Sequence, residues 1–234
     1  GELLDNWSVK EDAAQRFPYA DWLQKHRRGV APQPWTQDRQ VGELDLLRLQ
    51  TAMGFTAEDF DLIIEDMAAL GKEPTYCMGD DIPLAVLSDK PHLLYDYFKQ
   101  RFAQVTNPPI DPLREKLVMS LEMHLGERRP ALKPQPEAAS VIHLETPVLN
   151  EAELAAISEQ GLPVKTVSTQ VAVESCAGGL QQAIAALCSV AEQAVRDGAQ
   201  VLVLSDRVDG TGAAAPLTPT TVAMPALLAV GAVH

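Results

Sequence analysis

The sequence predicts an α/β protein, with a helical N-terminal part followed by a β-α-β-α-β-α part built on a parallel sheet. Three observations carry this. Up to about residue 126 the apolar residues recur at helical spacing. The stretch GERRPALKPQPEAAS then forbids a continuous helix, through Pro130, Pro134 and Pro136. Beyond it, short apolar runs alternate with helical patterns, the grammar of right-handed strand–helix–strand crossovers.

The opening GELLDNWSVKEDAAQRF is polar and helical, which argues against a signal peptide. FPYADWLQKHR is a short amphipathic piece. In GELDLLRLQTAMG, Leu44, Leu47 and Met53 sit near helical spacing and Gly54 supplies the stop. Thr56 caps AEDFDLIIEDMAALG, with Asp59 three residues on as a weaker capping box and Gly71 as the terminator. HLLYDYFKQRF lines up Leu94, Tyr97, Phe98 and Phe102, and PLREKLVMSLEMHLG repeats leucine at 113, 117, 121 and 125, a helical period. The proline-rich stretch reads as a connector, giving subregions 1–126, 127–140 and 141–234. SVIHLE is a strand. Asn150 caps EAELAAISEQG through a capping box with Glu153. LPVKTVSTQV is a strand, GGLQQAIAALCSVAEQAVRDG a long helix closed by Gly198, and QVLVLSD a buried, non-alternating strand of parallel type. MPALLAVGAVH begins a last helix. No fixed-period repeat is present.

The chain has 234 residues and a net charge of -13. That acidity argues against a nucleic-acid surface, which needs clustered basic residues, and disfavours anionic membranes. No apolar run reaches the ~18 residues that span a bilayer. Cys77, Cys176 and Cys188 form no CxxC pair, so neither a disulfide framework nor a cysteine metal site is indicated, and a reducing cytoplasm suits them.

Candidate chemistry is sparse. Asp80 and Asp81, inside CMGDD, have the make-up of a metal or proton-sharing pair, but a turn before Pro83 explains them better. ESCAGGLQQA lacks the glycines of a nucleophile elbow, since Val173 and Ala177 flank Ser175. Its Gly178 and Gly179 read as a strand-to-helix turn rather than a phosphate cradle. DRVDGTGAAAP follows a strand and mimics a dinucleotide loop, yet only Gly210 and Gly212 are present and Pro216 blocks the helix that should follow. His26, His92, His124, His143 and His234 share no metal-ligand spacing. The residues alone therefore indicate no catalytic, cofactor-binding or metal site.

GKEPTYCMGDDIPLAVLSDKPHLLYDYFKQRFAQVTNPPIDPLREKLVMSLEMHLG resembles the central domain of the large subunit of glutamate synthase. The likeness continues through LETPVLNEAEL and VLVLSDR to LLAVGAVH and is most specific over 76–126. YCMGDDIPLAVLS is closer to the ferredoxin-dependent enzymes of cyanobacteria and plastids than to the pyridine-nucleotide form.

The resemblance implies a multidomain parent. An amidotransferase domain releases ammonia from glutamine. The ammonia passes through a channel to a synthase domain carrying FMN and a 3Fe-4S cluster, where 2-oxoglutarate becomes glutamate at the expense of reduced ferredoxin. The central domain joins the two and lines part of the route. Met78 and Thr106 match residues along that route, with Gly79, Asp80, Asp81 and Asn107 as neighbouring channel or interdomain candidates. Methionine suits a dry, adaptable wall, threonine offers a hydroxyl, and glycine lets backbone approach the lumen. Core packing is the plain alternative for Met78 and Thr106.

With Gly1 first and His234 last, the expectation is an excised central domain. Its partners are the amidotransferase and FMN synthase domains of the same polypeptide, in a cytoplasm or plastid stroma. Ferredoxin, itself acidic, is expected to dock elsewhere. The other reading is a free-standing regulatory or binding module of the same fold, which reading the gene past His234 would test. Residues 210–233 contain no Asp, Glu, Lys or Arg. They are expected either to face another domain or to fold back onto this one.

Overall fold

The computed structural model describes residues 3–34, 43–70, 85–89, 92–98, 113, 117–130 and 132–234. It is a mixed helix and sheet protein whose contacts divide it into two units. One comprises 1–36, 110–166 and 193–203; the other comprises 37–109, 167–192 and 204–234.

In the first unit, α1 (Asn6–Gln15) begins at Asp5, whose carboxylate accepts Ser8 N–H at 2.7 Å. α2 (Tyr19–His26) follows Pro18 and leads into β1 (Arg28–Gly29). β2 (Met123–Leu125) and β3 (Ile142–Leu144) complete a three-stranded sheet in the order β1-β3-β2. β3 runs parallel to β1, pairing Arg28 with Ile142, and antiparallel to β2, pairing His124 with His143. The stretch 127–140 links β2 to β3 and contains a 3₁₀ turn, Pro136–Ala139. α6 (Glu151–Glu159, numbered after α3–α5 of the second unit) is capped as its sequence predicts. Asn150 Oδ1 accepts Glu153 N–H at 2.9 Å, and Glu153 Oε2 accepts Asn150 N–H at 2.9 Å. The core of this unit gathers Ile142, Leu144, Ile157 and Leu162, with Met123, Leu125, Leu149 and Val164 packed around them.

In the second unit, α3 (Glu43–Ala52) ends at Gly54. Phe55 N–H reaches Gln50 O and Gly54 N–H reaches Thr51 O, a Schellman ending that needs the positive φ of +79° found at Gly54. Thr56 caps α4 (Ala57–Asp59) through a complete capping box with Asp59. The helix continues as a π turn (Phe60–Ile64) and α5 (Glu65–Leu70); Gly71, its expected terminator, lies outside the described residues. Leu94–Tyr97 is a single 3₁₀ turn, and Phe102 is likewise outside.

β4 (Val164–Ser168) and β5 (Gln170–Ala172) are the one strand expected from LPVKTVSTQV, broken at buried Thr169. Thr169 N–H donates to Ser205 O, while its carbonyl accepts Met224 N–H. Pairing thereby switches from β6 (Val201–Ser205) to β7 (Thr221–Ala223). β4 and β6 are parallel, since Gln200 N–H bonds Pro163 O at one end and Thr169 N–H bonds Ser205 O at the other. β5 and β7 are antiparallel. Between β5 and β6 runs α7 (Val173–Arg196), and α8 (Ala226–Val233) closes the chain. The second core holds Val167, Val171, Leu187, Met224 and Ala229.

Four expectations need correction. The leucine period over 113–125 does not give a helix to its end: residues 117–118 are helical, but Met123–Leu125 is a strand. Long-range pairing with β3 and burial beside Ile142 override the local period, and Leu117 and Leu121 stay exposed. The long helix begins at Val173, so Gly178 and Gly179 lie inside it and open nothing. β6 is only half-buried along its whole length, because it belongs to a two-stranded sheet. Finally, the sheets are small and mixed rather than one parallel sheet.

Candidate functional site

The six residues singled out from the sequence, Met78, Gly79, Asp80, Asp81, Thr106 and Asn107, lie outside the described residues. Among the described residues of that stretch, 92–98 form a turn held by their own side chains, and the Leu94–Tyr97 turn also lies against α8. Asp96 Oδ2 accepts Leu93 N–H at 3.1 Å and lies 3.7 Å from His92 Nδ1. His92 meets the Tyr97 ring edge-on at 6.4 Å. One carboxylate thus organises the turn and orients the imidazole.

The loop after β6, DRVDGTGAAAP, is built the opposite way from a phosphate cradle. Gln170 Nε2 donates to both Asp206 O and Ala215 O at 2.8 Å, pinning the two ends of the loop. Ser168 Oγ donates to Val208 O at 2.6 Å. Asp209 Oδ1 accepts the Thr211 hydroxyl at 2.6 Å, Thr211 N–H at 2.8 Å and Ala213 N–H at 3.2 Å. The Thr211 hydroxyl, then its amide, hold the Asp209 carboxyl below the ordinary aspartate value. The backbone N–H groups at Thr211 and Ala213 are spent on a side chain of the same loop, so they are not presented to an anion. Sequence reasoning flagged the glycines and missed Gln170 and Ser168. A lone glutamine and serine at a strand break carry no pattern that announces this work.

The charge-free tail is divided in role. α8 packs Leu228, Ala229 and Val233 into the second core, and Cys188 Sγ lies 3.3 Å from Ala232 O. Leu227 and Val230 of the same helix stay exposed. Among the described residues, no three His, Cys, Asp or Glu side chains are gathered as a ligand set, and no helix is long and apolar enough to cross a membrane.

Comparison with known proteins decides the family. The family model described as the glutamate synthase central domain matches residues 48–234. The chain belongs to the glutamate synthase central domain family. It is 50% identical to the chloroplastic ferredoxin-dependent glutamate synthase of Oryza sativa subsp. japonica, with 100% of this chain and 14% of that protein aligned. It is 49% identical to ferredoxin-dependent glutamate synthase 2 of Synechocystis sp., covering 100% of this chain and 15% of that protein. Ferredoxin-dependent glutamate synthase 1 of Arabidopsis thaliana, chloroplastic/mitochondrial, is 48% identical over the same full span and 14% of its own length. The chain therefore spans about one seventh of the length of the curated relatives it matches. The resemblance read from CMGDD and its neighbours is confirmed at the level of the family and of its ferredoxin-dependent relatives.

The cofactors of the resemblance do not fit the residues present. An iron–sulfur cluster is held by several closely spaced thiolates, whereas this central domain has three dispersed cysteines. Of these, Cys188 is half-buried on α7 and directed at a backbone carbonyl. Gly178 and Gly179 sit within a helix rather than at its start, so they form no flavin-phosphate cradle.

Proposed function

We propose that this chain is the connecting domain of a ferredoxin-dependent glutamate synthase, set between an amidotransferase domain and a synthase domain that carries FMN and a 3Fe-4S cluster. Its work is to hold the two centres in register and to wall part of the ammonia route. The parent makes glutamate from glutamine and 2-oxoglutarate with reduced ferredoxin, in the cytoplasm or plastid stroma. The observation that carries this reading is identity near one half along the full chain with three ferredoxin-dependent synthases of which it makes up only one seventh. A net charge of -13 supports ferredoxin docking on another domain. The outward Leu227 and Val230 suit contact with a neighbouring part of the parent.

Met78 and Thr106 are the residues proposed for the route wall, with Gly79, Asp80, Asp81 and Asn107 as neighbouring channel or interdomain candidates. A small neutral amine is best carried past few charges and little water, which methionine and threonine provide. In the intact synthase, Met78→Trp and Thr106→Trp should each raise glutamine consumed above glutamate formed, because ammonia stalls or leaks. A ratio unchanged from the parent enzyme in both variants removes these residues from the route.

A further inference from the structure

The face of the β2–β3 ladder turned away from the core carries two imidazoles. Along β2, alternation sends Met123 and Leu125 inward and leaves Glu122 and His124 outward; along β3, Ile142 and Leu144 are buried and His143 points the other way. His124 and His143 are direct antiparallel partners. Their ring centroids lie 5.1 Å apart, with planes inclined at 38°. Glu122 Oε2 is 3.4 Å from His143 Nε2, and their side chains are 58% and 21% exposed. His124 is exposed as well. No part of the proposed channel or interdomain role uses these three side chains.

We propose that this face is a site for a borderline divalent cation, Zn²⁺ foremost, with His124 and His143 as its imidazole ligands. Two imidazoles on one tetrahedral zinc, each nitrogen at ~2.0–2.1 Å, hold their ring centroids ~5 Å apart. The observed 5.1 Å separation is of that size, as a directly opposed cross-strand pair gives, and binding needs the two side chains to turn one nitrogen each toward a shared ion. No ready-made set of three ligands exists among the described residues. The pair supplies two, exposed Glu122 joins by turning its carboxylate from His143 to the ion, and water completes the shell. Imidazole donors select zinc, copper or nickel over magnesium or calcium, which prefer all-oxygen shells. The structural consequence follows from chain connectivity. β2 and β3 are joined by a stretch with three prolines, Pro130, Pro134 and Pro136, and an ion bridging the strands closes that loop as a cross-link does.

The test uses Zn²⁺ alone, titrated calorimetrically into the chelator-treated chain, with Mg²⁺ as control. One Zn²⁺ per chain should bind and Mg²⁺ should give no comparable heat. His124→Gln and His143→Gln should each weaken Zn²⁺ by at least ~10-fold, the smallest loss seen even for an outer-shell partner, and Glu122→Gln should weaken it less. The imidazole NMR signals of His124 and His143 should move on adding Zn²⁺ while those of His26, His92 and His234 stay in place. These signals report on the parent chain and do not depend on a variant folding. Equal Zn²⁺ affinity in the parent and both histidine variants overturns the proposal. So does an equal response to Mg²⁺, or movement confined to the other histidines.

Discussion

Asn150 does two jobs at once, and substituting it separates them. Its Oδ1 caps α6 by accepting Glu153 N–H, and its Nδ2 donates to Gln33 O at 2.9 Å, tying the N-terminal segment to the helix start. The residue is buried at 8% exposure, so water cannot replace either bond readily. Removing an N-cap costs ~1 kcal/mol, and losing a neutral hydrogen bond costs a further ~1 kcal/mol. Asn150→Ala should therefore destabilise the unit by about 2 kcal/mol, a fall in Tm of ~4–8 °C for a chain of this size. Asn150→Asp keeps the acceptor but loses the donor. It also sets a carboxylate against the Gln33 carbonyl and the Glu153 carboxylate. Its cost should be at least ~1 kcal/mol, the lost second bond together with that repulsion. Urea unfolding gives the totals, and amide exchange of Ala31 and Gln33 reports the tie separately. An Asn150→Ala change within ~0.5 kcal/mol of the parent, the range of an ordinary surface substitution, would refute the reasoning. Equality of Asn150→Asp with the parent would refute the role given to Gln33.

Three further outcomes follow from the structure. Ile142 is fully buried in the first core, so Ile142→Ala should lower stability by ~2–5 kcal/mol at unchanged denaturant slope; a loss under ~1 kcal/mol would show that the core does not depend on it. Gln170→Leu removes both bonds that pin the loop ends, so amides within 206–215 should exchange faster while those of Leu187 and Ala191 are unchanged; uniform acceleration would count against a local role. The Asp209 carboxyl is held below the ordinary value of 3.8 by Thr211, so its contribution to the loop is complete above that pH and is lost as pH falls through the lower folded value. Thr211 amide exchange, relative to its intrinsic rate, should be protected at neutral pH and lose that protection in strong acid; Asp209→Asn should remove the pH dependence.

The helix ends were the most legible part of the sequence, because capping is local chemistry. Thr56 with Asp59, Asn150 with Glu153, and the glycines at 54 and 198 each act through atoms within a few residues of themselves. Strands were legible only where their neighbours were irrelevant. SVIHLE reads as a strand because it is flanked by turns and rich in β-branched residues, and so it is. LVMSLEMHLG fits a helix equally well by spacing, and only pairing with Ile142–Leu144 settles Met123–Leu125 as a strand. The switch at Thr169 was invisible for the same reason, since the two backbone partners that create it, Ser205 and Met224, lie far along the chain.

The same distinction explains how chemistry was read. Motif searches ask for ligands at fixed spacing along one segment, and by that measure the five histidines had nothing to say. His124 and His143 stand nineteen positions apart, far from the short spacing of an H-x3–5-H pair, yet register makes them immediate neighbours. Two features were nonetheless written in the sequence: EMHL and IHLE each place a histidine between two apolar residues. In a strand, that pattern puts the imidazole on the face opposite the core. What the pattern lacked was the pairing of the two strands, one residue of slip in which would turn one imidazole toward the core and dissolve the pair. Register therefore decides the site, and register is fixed on the other face by buried Ile142 and Leu144 and by Met123 and Leu125 packed against them. The residues that hold the core together are the ones that bring the two histidines side by side.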